Sequence, residues 1–237
     1  MKKSSSGIKA GRRGQSFVEL SMTLLVLALI LGGVVEYGFL LNAYLHVLDG
    51  AREAARQSSN SNPFELDSLT NQYNPADPNP YFYVVTAVEA ATTMDPIKLQ
   101  PSMNDDIVVS VFSESIIGSP EVVRFPAVYP NGWSMCQNFA QVTEYFNNLG
   151  GSVPRYLDAG WPGGCQPQQS AISNDIIQSR LDGAAPGTGL LSVEIYYHYS
   201  QVLKLPVVTS VIPDPIPVYT YTIMPLSAAE PTTTPIP

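Results

Sequence analysis

Charged residues, histidine and cysteine are all scarce in this chain of 237 residues. Charged side chains make up 14% of the sequence, against roughly 25% in ordinary soluble domains. The only histidines, His46 and His198, are far apart in sequence, and neither has a nucleophile or a metal-ligand spacing beside it. We therefore expect both to be structural, and the pattern indicates no catalytic centre, no metal centre and no cofactor.

Two other segments lack the surroundings of a binding site. The glycine-bearing stretch 183–189 has neither the lysine nor the helix of a phosphate-binding loop. Asn104, Asp105 and Asp106 offer oxygen ligands for a cation. A turn before a strand is the favoured interpretation of these three residues, with a calcium site as the alternative.

Basic residues are few, and they are unevenly placed. Five of the 12 lie in the first 14 residues, which contain no acid, so that end carries a charge of +5. The rest of the chain has 7 basic and 20 acidic residues, a net charge of −13. This charge argues against nucleic-acid binding by the main body, which would need clustered Lys and Arg. The basic end instead suits the cytoplasmic side of a membrane.

One long apolar run follows the basic end, from Phe17 to Leu45, with Glu19 and Glu36 as its only charges. As a helix it would be about 43 Å long, against a hydrocarbon core of about 30 Å. We expect it to span a membrane and to project beyond it. The uncharged residues between the two glutamates would cover about 24 Å, which places the glutamates near opposite boundaries.

The helix is predicted to continue outside the membrane, as one element from about Gln15 to about Gln57. Apolar and small residues recur there at spacings of four and three, which favours packing on another helix or on a sheet. This predicted stripe comprises Tyr37, Leu41, Tyr44, Leu48, Ala51 and Ala55. A polar run that ends at Pro63 then terminates the helix.

Glu19 is the unusual residue of the run, because a carboxylate costs a few kcal/mol in lipid. One interpretation places it simply in the headgroup layer. In a second, the chain is cut after Gly14 and Gln15 becomes the new N-terminus. The ammonium of one copy would then neutralise Glu19 of another and set the axial register between copies.

The segment Arg-Arg-Gly-Gln-Ser-Phe-Val-Glu-Leu at 12–20 resembles the processing site of type IV pilin-like precursors. It is more similar to that of the TadE/TadF-type minor pseudopilins of tight-adherence (Tad/Flp) systems. In that family a prepilin peptidase cuts after the glycine, and a glutamate is the fifth mature residue; the resemblance gives these roles to Gly14 and Glu19. It is specific over 12–56 and loose over 190–224.

The resemblance implies a structural role. The processing site would be Gly14 and Gln15, and the assembly residues Glu19 and Glu36. The partners would be the membrane, a prepilin peptidase, other pilin subunits and the pilus assembly machinery, in adhesion or secretion. The chain would cross the bacterial inner (cytoplasmic) membrane once with its C-terminus outside, enter an extracellular filament after assembly, and not be an enzyme.

Several alternatives stay open. Alternative interpretations of the leader are an ordinary secretory signal, although no clear small-residue cleavage site follows the long apolar run, a twin-arginine signal at Arg12 and Arg13, although the next residues fit it poorly, and an uncleaved anchor. An uncleaved anchor would favour a single-pass, membrane-anchored extracytoplasmic binding or adhesion module that does not polymerise. A third possibility is an anchored enzyme, although no set of residues argues for it.

The two cysteines, Cys136 and Cys165, are able to pair if the body is exported. Closing this loop of about 30 residues would stabilise the fold by about 3–4 kcal/mol; two buried thiols are the alternative. Each cysteine follows a Gly-Trp pair, Trp133 or Trp161. These segments indicate a small core of indoles packed on a disulfide, or else an exposed aromatic loop for a surface, a sugar or a neighbouring subunit.

The sequence predicts an α+β protein, in which a long N-terminal transmembrane pilin-type helix precedes a small antiparallel-sheet domain with short helices. The predicted helices are about 80–92, 138–147 and 174–181, and the predicted strands are 107–112, 121–125, 190–199 and 218–224. The predicted parts are a leader (1–14), the transmembrane and assembly helix (15–57), a linker (58–80), an extracytoplasmic domain (81–226) and a disordered Pro/Thr-rich tail (227–237).

Overall fold

The structure is a computed structural model that describes most of the chain, namely residues 12–63, 80–115, 121–126, 131–154, 157, 161, 164–180 and 189–226. Most of the predicted leader, most of the predicted linker and all of the predicted tail lie outside these residues. The described residues form one long helix followed by a small antiparallel sheet with short helices, which confirms the predicted α+β class.

The N-terminal helix, α1, runs from Arg12 to Ser58 and has 47 residues, so it is about 70 Å long. It contains no proline and is rich in leucine and alanine, which favour a helix. Its segment Ser16–Ser58 is long and apolar enough to cross a membrane, and the most apolar part is almost entirely exposed. The predicted helix of 15–57 therefore differs from α1 by only a few residues.

Five strands form the sheet, and every pairing is antiparallel. The order is β2-β1-β4-β5, and the short β3 pairs with β1 beside β2. The strands are β1 (Asp106–Ser115), β2 (Glu121–Phe125), β3 (Trp133–Ser134), β4 (Gly189–Tyr199) and β5 (Ile216–Leu226). All four predicted strands are present, and the sheet adds the two-residue β3.

One face of the sheet packs on α1 and on the second helix, α2 (Pro80–Thr93). Strand β4 supplies this face with every second side chain, as the alternation in a strand requires: Leu191, Val193 and Ile195 are fully buried. The helix α3 (Phe139–Asn148) packs beside α2. This layer of helices on one sheet face encloses the main core.

The other face of the sheet holds a smaller core under the helix α4 (Asn174–Gln178). Its buried members are Phe112, Val122, Ile172 and Ile177. The helix α4 begins at the predicted residue but ends three residues before the predicted 181, and Gly183 lies outside the described residues. The last helix, α5 (Pro206–Thr209), is a single turn between β4 and β5.

The N-terminal half of the predicted packing stripe on α1, residues 37–44, does not pack on the body of this chain. Tyr37 is 65% exposed, and Leu41 and Tyr44 are also exposed. The buried stripe is displaced by one residue, about 100° around the helix, and consists of Glu36, Ala43, Val47, Gly50, Ala51, Ala54, Ala55 and Ser58. Small residues occupy this side because α2 and the sheet approach the helix backbone closely there.

The helices α1 and α2 approach each other closely at Gly50. A Cβ atom added there would lie 2.5 Å from Met94 Cγ and 2.9 Å from the backbone oxygen of Ala90. Two turns further along α1, at its C-terminal end, Ser58 accepts a hydrogen bond of 2.6 Å from the Thr86 hydroxyl of α2. The glycine therefore sets the distance between the two helices.

We predict opposite effects of the same substitution at two glycines of α1. Gly38→Ala meets nothing within 4 Å and should raise the free energy of unfolding by about 0.5–1 kcal/mol. Gly50→Ala should lower it by about 1–2 kcal/mol, because α2 has to move. Thermal unfolding of the full chain in detergent micelles, followed by near-UV circular dichroism, measures both. Equal stabilisation by the two substitutions would contradict the close contact at Gly50.

Candidate functional site

Glu36 lies near the middle of α1, in an apolar stretch. Although its side chain is ionisable, it is only 6% exposed. Its carboxylate accepts three hydrogen bonds, one from the last residue of β4 and two from the segment that follows it. The Tyr199 hydroxyl and the Val202 backbone N–H each donate to Oε1 at 2.8 Å. The Leu203 backbone N–H donates to Oε2 at 2.7 Å.

These bonds explain how a carboxylate is accommodated among apolar side chains. A buried charge is tolerated when hydrogen bonds replace its hydration, and charge-assisted bonds are the strong ones. The sequence placed Glu36 near a membrane boundary, but nothing local pointed to partners more than 160 residues away. Its predicted role in assembly stays a prediction; in the structure its carboxylate binds its own chain.

The part of α1 before Glu36 is exposed on nearly every side. Apolar side chains from Phe17 to Val35 contact little of the body. Glu19 is exposed within this part, and Gly14 and Gln15 lie at the start of the same helix. Residues 15 and 19 are one helical turn apart, about 6 Å along the axis. The predicted processing site and the predicted assembly residue therefore share one continuous helix, while cleavage and assembly stay predictions.

The exposed apolar surface does not stop at Glu36. On the side of α1 that the body leaves open, large side chains continue for two further turns. This open face comprises Tyr37, Phe39, Leu41, Tyr44 and Leu45. Exposed apolar patches of this kind mark contact sites, so α1 offers an uncovered apolar face above the level of its buried carboxylate.

Asp106, at the start of β1, holds two loops against the sheet. Its carboxylate accepts hydrogen bonds from the Ser134 hydroxyl at 2.6 Å, the Gln168 N–H at 2.9 Å and the Cys136 N–H at 3.0 Å. The N–H of Ile107 adds a fourth. Burial raises the pKa of this carboxyl to about 6, and the four donors favour its ionised form.

Asp105 and Glu194 are fully buried in the same way. Asp105 accepts the Gln100 N–H at 2.7 Å and lies 2.9 Å from Nδ1 of His198. Glu194 accepts bonds from the Ser170 hydroxyl, the Ala171 N–H and the Tyr219 hydroxyl. The favoured interpretation of 104–106 as a turn before a strand agrees with the left-handed conformation of Asn104 and the start of β1. Among the described residues no group of three His, Cys, Asp or Glu is placed to hold a metal ion.

A groove of about 620 Å³ lies between β2 and residues 170–174. Its cation, Arg124, donates to the backbone oxygens of Ile172 and Asn131 and stands 4.7 Å above the ring of Phe112. Burial lowers the pKa of Arg124. Because its donors are taken by the chain and no carboxylate lines the groove, Arg124 fastens the loop rather than presenting a charge to a ligand.

The structure joins Cys136 and Cys165 in the predicted disulfide, with a Cα–Cα distance of 5.9 Å. Both indoles are buried in the main core. Trp161 stacks on Phe139 with 5.5 Å between ring centroids, and Trp133 donates to Gln141 at 2.9 Å. The exposed aromatic loop, the alternative interpretation of these segments, is therefore wrong, and their role is packing.

We predict that Glu36→Ala releases the segment after β4. Three donors lose their acceptor, at a cost of about 2–4 kcal/mol. Hydrogen exchange should become faster at the amides of Val202 and Leu203 and stay unchanged in α2. Tyr199→Phe, which removes only one of the three bonds, should leave those two amides protected. Unchanged exchange in Glu36→Ala would contradict the role assigned to this carboxylate.

We predict an unusual pH dependence from Asp106. Its pKa of about 6 in the folded chain exceeds the value near 4 of an unfolded chain. Between these values the folded state binds more protons, so this carboxyl lowers the free energy of unfolding as the pH rises from about 4 to about 6, by up to about 3 kcal/mol.

Asp106→Asn tests this sign. The variant should be less stable at pH 7, because its amide N–H₂ faces N–H donors, and its melting temperature should fall less between pH 4 and 6 than that of the unsubstituted chain. Near-UV circular dichroism melts across that range measure the difference. A parallel pH profile for the two proteins would contradict the raised pKa.

Comparison with known proteins gives one match. A family model described as TadE-like protein matches residues 14–56. No curated protein and no solved structure matches the chain. The matched segment begins at Gly14 and covers Glu19, Glu36 and most of α1. The resemblance predicted from the sequence is therefore confirmed over residues 14–56, and this segment is similar to the TadE-like proteins of the Tad pilus.

Proposed function

We propose that this chain is a minor pilin or pseudopilin subunit of a Tad-like, type IV-related pilus or secretion system. It is a structural protein, processed by a prepilin peptidase and assembled through α1. The observation that carries the proposal is the open face of α1, which extends the apolar surface of the helix beyond the length that a membrane covers.

The lengths support assembly through this helix. A bilayer core of about 30 Å takes up about 20 residues of helix, and those from Ser16 to Val35 suffice. The open face, from Tyr37 to Leu45, adds about 12 Å of exposed apolar side chains. A lone membrane anchor has no need of this surface, whereas a bundle of such helices buries it.

The steps follow from the charges. The basic leader holds the N-terminus in the cytoplasm, and a prepilin peptidase cuts between Gly14 and Gln15. The new ammonium at Gln15 then pairs with Glu19 of a neighbouring copy as the helix leaves the lipid for the bundle. A desolvated pair of this kind has a defined geometry, so it sets the register between subunits.

The body fits a minor rather than a repeating subunit. The part of the chain after α1 is several times longer than α1 itself, and its acidic charge keeps it in solvent. Filaments of the Flp type resemble bundles of nearly bare helices, which leave little room for a body of this size on every copy. The body then stays outside the membrane, where it primes assembly, caps the filament or contacts a surface.

We predict that substitutions at two different residues affect processing and assembly separately. The membrane-extracted protein should have the intact mass of a chain beginning at Gln15, and Gly14→Leu should retain the leader. Glu19→Ala should be cleaved normally but enter filaments about tenfold less, because one partner of a desolvated pair is lost. Asp49→Ala, which removes an exposed acid from the outer part of the same helix, is the matched control.

Two results would contradict different parts of the proposal. A retained leader in the unsubstituted protein would favour an anchored binding or adhesion module that does not polymerise. Normal incorporation of Glu19→Ala would leave the subunit role in place and remove the charge-pairing step.

A further inference from the structure

The connection between β4 and β5, residues 200–215, exposes several apolar side chains, which is unusual for a turn on a water-facing surface. Val211 is 81% exposed and Val202 is 57% exposed. Leu203 and Ile212 are exposed as well. Loops on water-facing surfaces are normally polar, so this group of four branched aliphatic side chains calls for a partner.

The connection is fastened to the apolar part of α1 at two successive turns. Glu36 accepts the backbone N–H groups of Val202 and Leu203. One turn nearer the N-terminus, Leu205 packs on Gly32, where an added Cβ atom would lie 2.6 Å from Leu205 Cδ1. The position of the connection along the helix axis is therefore fixed by contacts within the chain.

This position is the edge of the membrane. The inference rests on the membrane anchor of the proposed function. The 21 residues of helix from Ser16 to Glu36 span about 30 Å, the thickness of a hydrocarbon core. Glu36 then lies at the extracytoplasmic boundary, and Gly32 with Leu205 lies about 6 Å inside it.

The composition of the connection suits this depth. Its 16 residues include only two charged ones, Lys204 and Asp214, whose charged groups are 3.8 Å apart. Pairing lowers the cost of bringing both toward the interface. The charge of the connection is thus zero, in a body that is strongly acidic.

We propose that the β4–β5 connection inserts into the extracytoplasmic interface of the phospholipid bilayer, with Val211 and Ile212 against the acyl chains. Amphipathic segments lie about 5–10 Å deep in this zone, which matches the depth of Leu205. The connection and α1 then form two contacts with the membrane, and together they fix how deep the helix sits and how the body stands above it.

Another strongly exposed apolar residue of the body, Leu149, lacks these features. Leu149, at the end of α3, is 67% exposed, but it stands alone at the far end of the body. Its neighbour Asn148 donates to the hydroxyl of Tyr81 at the start of α2, and α2 runs back along α1 from the level of Ser58. Leu149 is therefore about 30 Å or more above Glu36 along the helix axis.

The test uses the full chain in vesicles of phosphatidylcholine and phosphatidylglycerol at a low ratio of protein to lipid. Val211→Cys carries an environment-sensitive fluorophore, since both native cysteines are held in a disulfide. Lipids with a nitroxide near the headgroup quench the labels at 211 and 149, and lipids with a nitroxide on the acyl chain quench the label at 27. Leu149→Cys is the matched control outside the membrane, and Leu27→Cys reports the insertion of α1.

We expect the label at 211 to be quenched about threefold or more relative to the label at 149. If the label at 27 is quenched and the label at 211 behaves like that at 149, the insertion of the connection is overturned while the anchor stands. If none of the three is quenched, the membrane anchor of the proposed function fails. A further outcome is shielding of the label at 211 from water only at a high ratio of protein to lipid. That result would overturn the lipid contact and would favour contact of residue 211 with a second copy of the chain.

Discussion

The structure depends on one constraint: a carboxylate in an apolar helix has to be supplied with hydrogen-bond donors. Glu36 receives three, one from the last residue of β4 and two from the segment that leaves this strand. Because two of the donors are backbone N–H groups, this segment is held at one level of α1. The last two strands are attached to the same segment, so the carboxylate fixes the sheet on one side of the helix and at one height.

Side-chain size then divides α1 into two faces. The covered face consists largely of alanine and glycine, so α2 and the sheet approach the helix axis closely, as Gly50 shows. The open face carries tyrosine, phenylalanine and leucine, whose bulk would hold the body away from the backbone. A helix built in this way binds its own body through small residues and keeps its large apolar residues for other partners, whether lipid or neighbouring helices.

Local signals made much of the fold predictable. The apolar run, the Asn-Pro start of α2 and the alternation of β4 are properties of neighbouring residues, and the elements follow them. The sequence did not show which side of α1 the body covers, because two stripes one residue apart both fit the heptad spacing and hydrophobicity alone favoured the larger side chains. Tyr199, Val202 and Leu203 were missed as partners of Glu36, since no pattern within the helix specifies a contact across more than 160 residues.

The internal bonds of Glu36 also bear on how such a helix would leave the membrane. A charge whose donors belong to its own chain keeps them wherever the helix goes, so moving α1 from lipid into a bundle changes little at Glu36. Glu19 lies in the exposed part of the helix, so its surroundings are replaced by the transfer. On the proposed mechanism, Glu36 therefore holds the subunit together through the transfer. The difference in the free energy of α1 between lipid and filament then arises mainly at Glu19.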